Sequence, residues 1–195
     1  APNLLRSCQR RQSCNTIMAN HKEKTSLSKL IEDTTGHKVL RLTPAIQADL
    51  EPYIQQAIAN YNAGPKYQGR VNEFGNHMEG VLQATSPRFQ KPTKANGRKQ
   101  STGYPDLMFD SNGVRVYPEI KCLAHGSNTS DMRRFYLSSF DKITGDAVHV
   151  VVGFEHDDKK LTGKYHIVDM FDKILTVKVE YACSNRELYE QKNAN

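Results

Sequence analysis

Ile46, Leu50, Ile54 and Ile58 recur every fourth residue, the spacing that lines one side of a helix. Thr43 stands before them as a capping side chain, and Pro44 fits the first helical position, where no N–H is needed. This helix should bend at Pro52 and stop in the breakers Asn62-Ala63-Gly64-Pro65. A second helix is expected over residues 71–83, because Val71, Phe74, Met78, Val81 and Leu82 share a face at about 100° per residue. Glu79 borders that stripe, beside Gly75. Farther on the pattern turns to strands, over residues 104–110, 114–122, 147–154, 164–170 and 174–181. Residues 131–140, between the second and third of these, suit a short helical crossover. A strand, a helix and another strand imply a parallel, right-handed connection, so the expected class is α/β with a central mixed sheet flanked by helices.

Residues 1–25 carry basic and polar side chains without apolar period and read as an irregular arm, leaving residues 26–195 as one domain. A chain of 195 residues suits one ordinary core rather than two. Leu4 and Leu5 are soon followed by Arg6, Arg10 and Arg11, so no signal peptide is expected, and no apolar run is long enough for a bilayer. A cytoplasmic location follows as the expectation. Cys8, Cys14, Cys122 and Cys183 form no C-x-x-C pair, which excludes a zinc ribbon or a thioredoxin-type motif. The formal charge of +6 favours a polyanionic partner. Much of it is concentrated in residues 86–102, which hold Arg88, Lys91, Lys94, Arg98 and Lys99 and no acid. That stretch reads as an exposed basic loop suited to phosphate contacts.

The strongest local signal is Asn112-Gly113 between two strand-like runs, since a type I′ turn needs positive φ at both central positions. If these two are the turn, Ser111 faces Val114, and the pairing places Asp106 opposite Glu119. Glu119 and Lys121 are two apart and share a face, while Val116, Pro118 and Ile120 point the other way with Leu107 and Phe109. Two carboxylates with Cβ atoms roughly 4.5 to 5.5 Å apart across a hairpin repel each other. A hard divalent cation would compensate, and Mg²⁺ takes carboxylate oxygens while keeping waters for phosphate and nucleophile. Lys121, roughly 7 Å farther along the same face, can meet a phosphate oxygen or the attacking water. The constellation suits metal-assisted phosphodiester hydrolysis.

Pro105-Asp106, then twelve residues, then Glu119-Ile120-Lys121 resembles the PD-(D/E)XK nuclease motif on its hairpin. Gly75-Asn76-His77-Met78-Glu79 is similar to the G-x-x-x-E helix that precedes the hairpin in many members and supplies another acid. The order helix, hairpin, crossover, strand also matches, over roughly residues 70–155. The resemblance implies that Asp106, Glu119 and the Ile120 carbonyl hold Mg²⁺, for which Mn²⁺ can substitute, that Lys121 orients or activates water, and that Glu79 is a further catalytic acid. It implies cleavage to 5′-phosphate and 3′-hydroxyl ends. The small size and long loops look most like a type II restriction endonuclease, commonly a homodimer on a palindromic double-stranded DNA site.

Around this centre, Lys91, Lys94, Arg98 and Lys99 are candidate phosphate contacts, and Arg133 and Arg134 are candidates for phosphates or guanine edges. Ser127, Asn128, Thr129 and Ser130 are candidates for lining the cleft. Glu73 competes with Glu79 but lies across the helical wheel from Gly75. The seven histidines show no metal spacing, and His149 and His166 are expected to be structural. Tyr104 and Tyr117 are expected to pack. A repair or junction-resolving nuclease would use the same residues, and a non-catalytic nucleic-acid-binding module would need only the basic loop.

Overall fold

The computed structural model describes residues 24–98, 103–126, 137 and 139–176. Residues 26–173 form one compact unit, and the chain on either side forms a second, whose described part is a short ladder between β1 (Lys24–Ser26) and β8 (Ile174–Thr176). Within the larger unit the order is α1 (Leu27–Thr35), β2 (Val39–Leu40), α2 (Pro44–Ala63), a 3-10 turn (Val71–Glu73), α3 (Phe74–Thr85), β3 (Phe89–Gln90), β4 (Met108–Ser111), β5 (Val114–Ala124), β6 (Ala147–Asp157) and β7 (Lys160–Asp169). Among the described residues, six strands make a mixed sheet in the order β2-β6-β5-β4-β3, with β7 pairing β6 as well. β5 and β6 are parallel from Val116↔Val148 to Ala124↔His156, and β4 and β5 are antiparallel. The α/β mixed sheet expected from the periodicity is the one observed. The crossover expected over residues 131–140 falls largely outside the described residues.

α2 begins as its sequence dictates. The Ile46 N–H donates to Thr43 Oγ1 at 3.3 Å, and Pro44 takes the first turn. The helix passes through Pro52 and ends at Ala63, where the Gly64 N–H caps Tyr61 O at 3.1 Å. Ile46, Leu50, Ile54, Ala57 and Ile58 of α2 and Phe74, Met78 and Leu82 of α3 pack on the sheet face made by Phe109, Val116, Ile120, Val148, Val150, Val152 and Phe154. On β5 and β6 these are alternate residues, which leaves Tyr117, Glu119, Lys121, His149 and Glu155 to the opposite face.

The second helix starts later than its pattern suggested. Val71–Glu73 is a 3-10 turn with three residues per turn, so Val71 rotates off the apolar stripe and stays 41 % exposed. α1, β2 and β3 had no apolar period long enough to announce them. Arg88, in the basic stretch, is structural: its guanidinium bonds both Asp49 oxygens at 2.9 and 2.6 Å and lies 4.3 Å above the Phe109 ring centre.

The hairpin is the expected one. Asn112 and Gly113 have φ of 52° and 86°, and Ser111 pairs with Val114. β4 begins at Met108 rather than residue 104, although the ladder reaches one residue further through Leu107 N to Pro118 O at 3.1 Å. Pro105 has no N–H to extend it. Among the described residues, no helix is long and apolar enough to cross a membrane.

Candidate active site

Because hydrogen-bonded pairs alternate along an antiparallel ladder, the single bond from Leu107 N–H to Pro118 O makes Asp106 and Glu119 a non-hydrogen-bonded pair, the closer kind. Asp106 Oδ2 accepts the Ile120 N–H at 2.8 Å, which pins its carboxylate against β5. Glu119 is 7 % exposed. Its Oε1 accepts from Lys121 Nζ at 2.5 Å, whereas its buried Oε2 has no hydrogen-bond partner among the described residues. Burial, followed by the charge of Asp106, pushes the Glu119 carboxyl up to about 7, against the pull of Lys121.

Glu79 enters from α3 and is also 7 % exposed. It is ion-paired with Lys91, and burial together with the Asp106 charge raises its pKa. The two acids are thus held near a third, each beside its own lysine. Glu73 is exposed, and its carboxylate accepts from the Tyr67 hydroxyl at 3.5 Å.

A third cation, Lys142, was missed in the sequence. It is 2 % exposed and its Nζ donates to Gly103 O at 2.6 Å and Pro105 O at 3.1 Å. Burial lowers its pKa, while Asp106, Glu79 and Glu119 support its charge. A single lysine in the run Phe140-Asp141-Lys142-Ile143 carries no local signal that it will be buried.

Of the basic candidates, Lys91 is engaged with Glu79, Lys94 pairs with Asp141 at 3.0 Å, and Arg98 is exposed. Lys99, Arg133 and Arg134, with Ser127, Asn128, Thr129 and Ser130, lie outside the described residues. His149 is fully buried, shares a 2.5 Å hydrogen bond with Tyr104 and packs on Tyr117. His166 is exposed on β7, His77 stacks on Tyr67, and His125 pairs with Glu155 at 3.0 Å.

Among the described residues no three His, Cys, Asp or Glu side chains group as a metal cluster, so a cation here would rest on two carboxylates and a main-chain oxygen. That donor set fits a hard divalent ion. Glu119 Oε2 is a buried carboxyl oxygen with no hydrogen-bond partner among the described residues, and Pro105 cannot donate to the Ile120 carbonyl, which lies on its side of β5. Gly75 faces the same carbonyl: a Cβ there would sit 3.5 Å from Ile120 O.

The model of the type II restriction enzyme MjaV family matches residues 18–192. This chain belongs to that family. It is 31 % identical over 200 residues to the type II restriction enzyme MjaV of Methanocaldococcus jannaschii, covering 87 % of this chain and 86 % of that protein. No solved structure matches it. The resemblance to a type II restriction endonuclease, stated above from Asp106, Glu119, Lys121 and the G-x-x-x-E stretch, is borne out by this membership of the MjaV family.

Proposed function

We propose that the chain is a Mg²⁺-dependent endonuclease that cuts double-stranded DNA at a specific sequence, leaving 5′-phosphate and 3′-hydroxyl ends. The observation that carries this reading is the pairing of Asp106 with a buried Glu119 whose second oxygen has no partner among the described residues. Family membership supports DNA as the substrate. Asp106, Glu119 and the Ile120 carbonyl would hold the ion, and the chemistry it would supply is polarisation of the scissile phosphate and a lowered pKa for a bound water.

The chain's own groups do the rest. Lys121 exchanges Glu119 for the attacking water or a phosphate oxygen, and its ammonium orients that water for in-line attack. Glu79, whose carboxyl is pushed up by burial and by the Asp106 charge, is held by Lys91 until substrate phosphates compete for the lysine. Lys94, Arg98, Lys99, Arg133 and Arg134 supply phosphate and base contacts. Two copies act as a homodimer, since a two-fold protein matches a palindromic site.

Digestion of a phage genome with and without Mg²⁺ tests the reading. Discrete bands that vanish with EDTA and with Asp106→Ala are expected, with DNA binding retained by the variant. Selective cutting of branched or damaged DNA would replace restriction by repair, and undiminished cleavage by Asp106→Ala would refute the site.

A further inference from the structure

The hydrogen bonds at the open end of the β4–β5 hairpin have exchanged partners. Leu107 N donates to Pro118 O, so the next pair due to share ladder bonds is Pro105 with Ile120. In an unbroken ladder the Ile120 N–H would go to the Pro105 carbonyl. It goes to Asp106 Oδ2 instead, and the Pro105 carbonyl accepts from Lys142 Nζ. The same ammonium holds Gly103 O, so both bonds tether the segment that leads into Asp106. Lysine is rarely buried without a partner, and the two carbonyls are what this one satisfies. The charges facing it across the site are Asp106, Glu79, Glu119 and Lys91.

We propose that Lys142 is a positioning residue for the metal site: by holding the Gly103 and Pro105 carbonyls it draws the segment leading into Asp106 away from the ladder, leaves the Ile120 N–H to Asp106, and so fixes the Asp106 carboxylate beside Glu119. The proposal rests on the reading of these two acids as metal ligands. Without the ammonium, Pro105 O is the ladder acceptor for the Ile120 N–H, the strands close by one more bond, and Asp106 loses its anchor. Lys142 is absent from the motif Pro105-Asp106 and Glu119-Ile120-Lys121, yet it decides whether those residues can converge. Its bare charge acts in the opposite sense, since a cation near the site repels a divalent ion. Positioning and charge therefore predict changes of opposite sign.

The test is Mn²⁺ binding to the full chain by electron paramagnetic resonance, together with kcat and KM for a cleavable duplex, for wild type, Lys142→Met and Asp106→Asn. Lys142→Met is expected to weaken Mn²⁺ binding and lower kcat, each by about 10- to 100-fold, as loss of a group that orients a ligand does. KM for the duplex should stay near the wild-type value. A folded Lys142→Met protein that binds Mn²⁺ as tightly as wild type, or more tightly, overturns the proposal. Should that variant not fold, Lys142→Gln is read by the same criterion, its amide being polar but too short to hold both carbonyls. Asp106→Asn keeps the two readings apart. If it binds Mn²⁺ and cuts like wild type, the metal-site reading itself fails; if it is inactive while Lys142→Met is unimpaired, only the role of Lys142 falls.

Discussion

Replacing Glu119 by glutamine should stabilise the metal-free protein while ending cleavage. The folded chain holds this carboxyl at about 7 against 4.5 for an ordinary glutamate, because it is buried and Asp106 lies beside it. At about 1.4 kcal/mol per unit, keeping it ionised costs roughly 3 kcal/mol above pH 7. Glutamine removes that charge but is a weaker acceptor for Lys121, whose 2.5 Å bond to Oε1 it must replace. The net gain should be about 1–2 kcal/mol. The sign follows from a folded pKa above the unfolded one: the carboxyl favours folding most below pH 4.5, and that contribution is lost as pH rises through 7. The advantage of the variant should therefore be absent near pH 4.5, grow up to pH 7 and stay level above it. Urea unfolding in EDTA at pH 4.5, 6 and 8 measures it, and added Mg²⁺ should stabilise only the wild type. A variant less stable than wild type at pH 8, or one whose gain is as large at pH 4.5, would refute the reasoning.

Two further outcomes are expected. His149, held down to about 3 by burial, stays neutral in the fold while its unfolded counterpart takes a proton below 6.5. It should therefore cost stability as pH falls from 6.5 toward 3, by roughly 4–5 kcal/mol in the limit. Comparing the pH dependence of wild type with that of His149→Phe isolates this term from Glu119, which contributes with opposite sign between pH 4.5 and 7; parallel curves would count against it. Asn112→Val places a branched side chain at a φ of 52° and should lower unfolding stability by about 1–2 kcal/mol, read from the urea midpoint, which an unstrained turn would leave unmoved.

How much of this was legible from the chain depends on the range of the forces involved. The Asn112-Gly113 turn is a local requirement for positive φ, and it fixes the register that sets Asp106 against Glu119. The α2 cap and stripe are local too, which is why Thr43, Pro44 and the Ile46-to-Ile58 spacing foretold that helix. The start of β4 was misjudged because Pro105 breaks the ladder in a way that alternation does not register. Val71 was placed on the wrong turn because a change from α to 3-10 winding leaves the residue order unaltered.

What the sequence determined by itself was the α/β class, the hairpin and the identity of the two acids and lysine upon it, since each rests on contacts between residues near one another in the chain. Only the tertiary structure decided what those residues do to each other. The burial that drives Glu119 upward, the ion pair that holds Glu79 to Lys91, and the bonds from Lys142 to Gly103 and Pro105 join segments far apart in sequence. Solvent exclusion and hydrogen bonding across such distances leave no period or spacing for a linear reading to find.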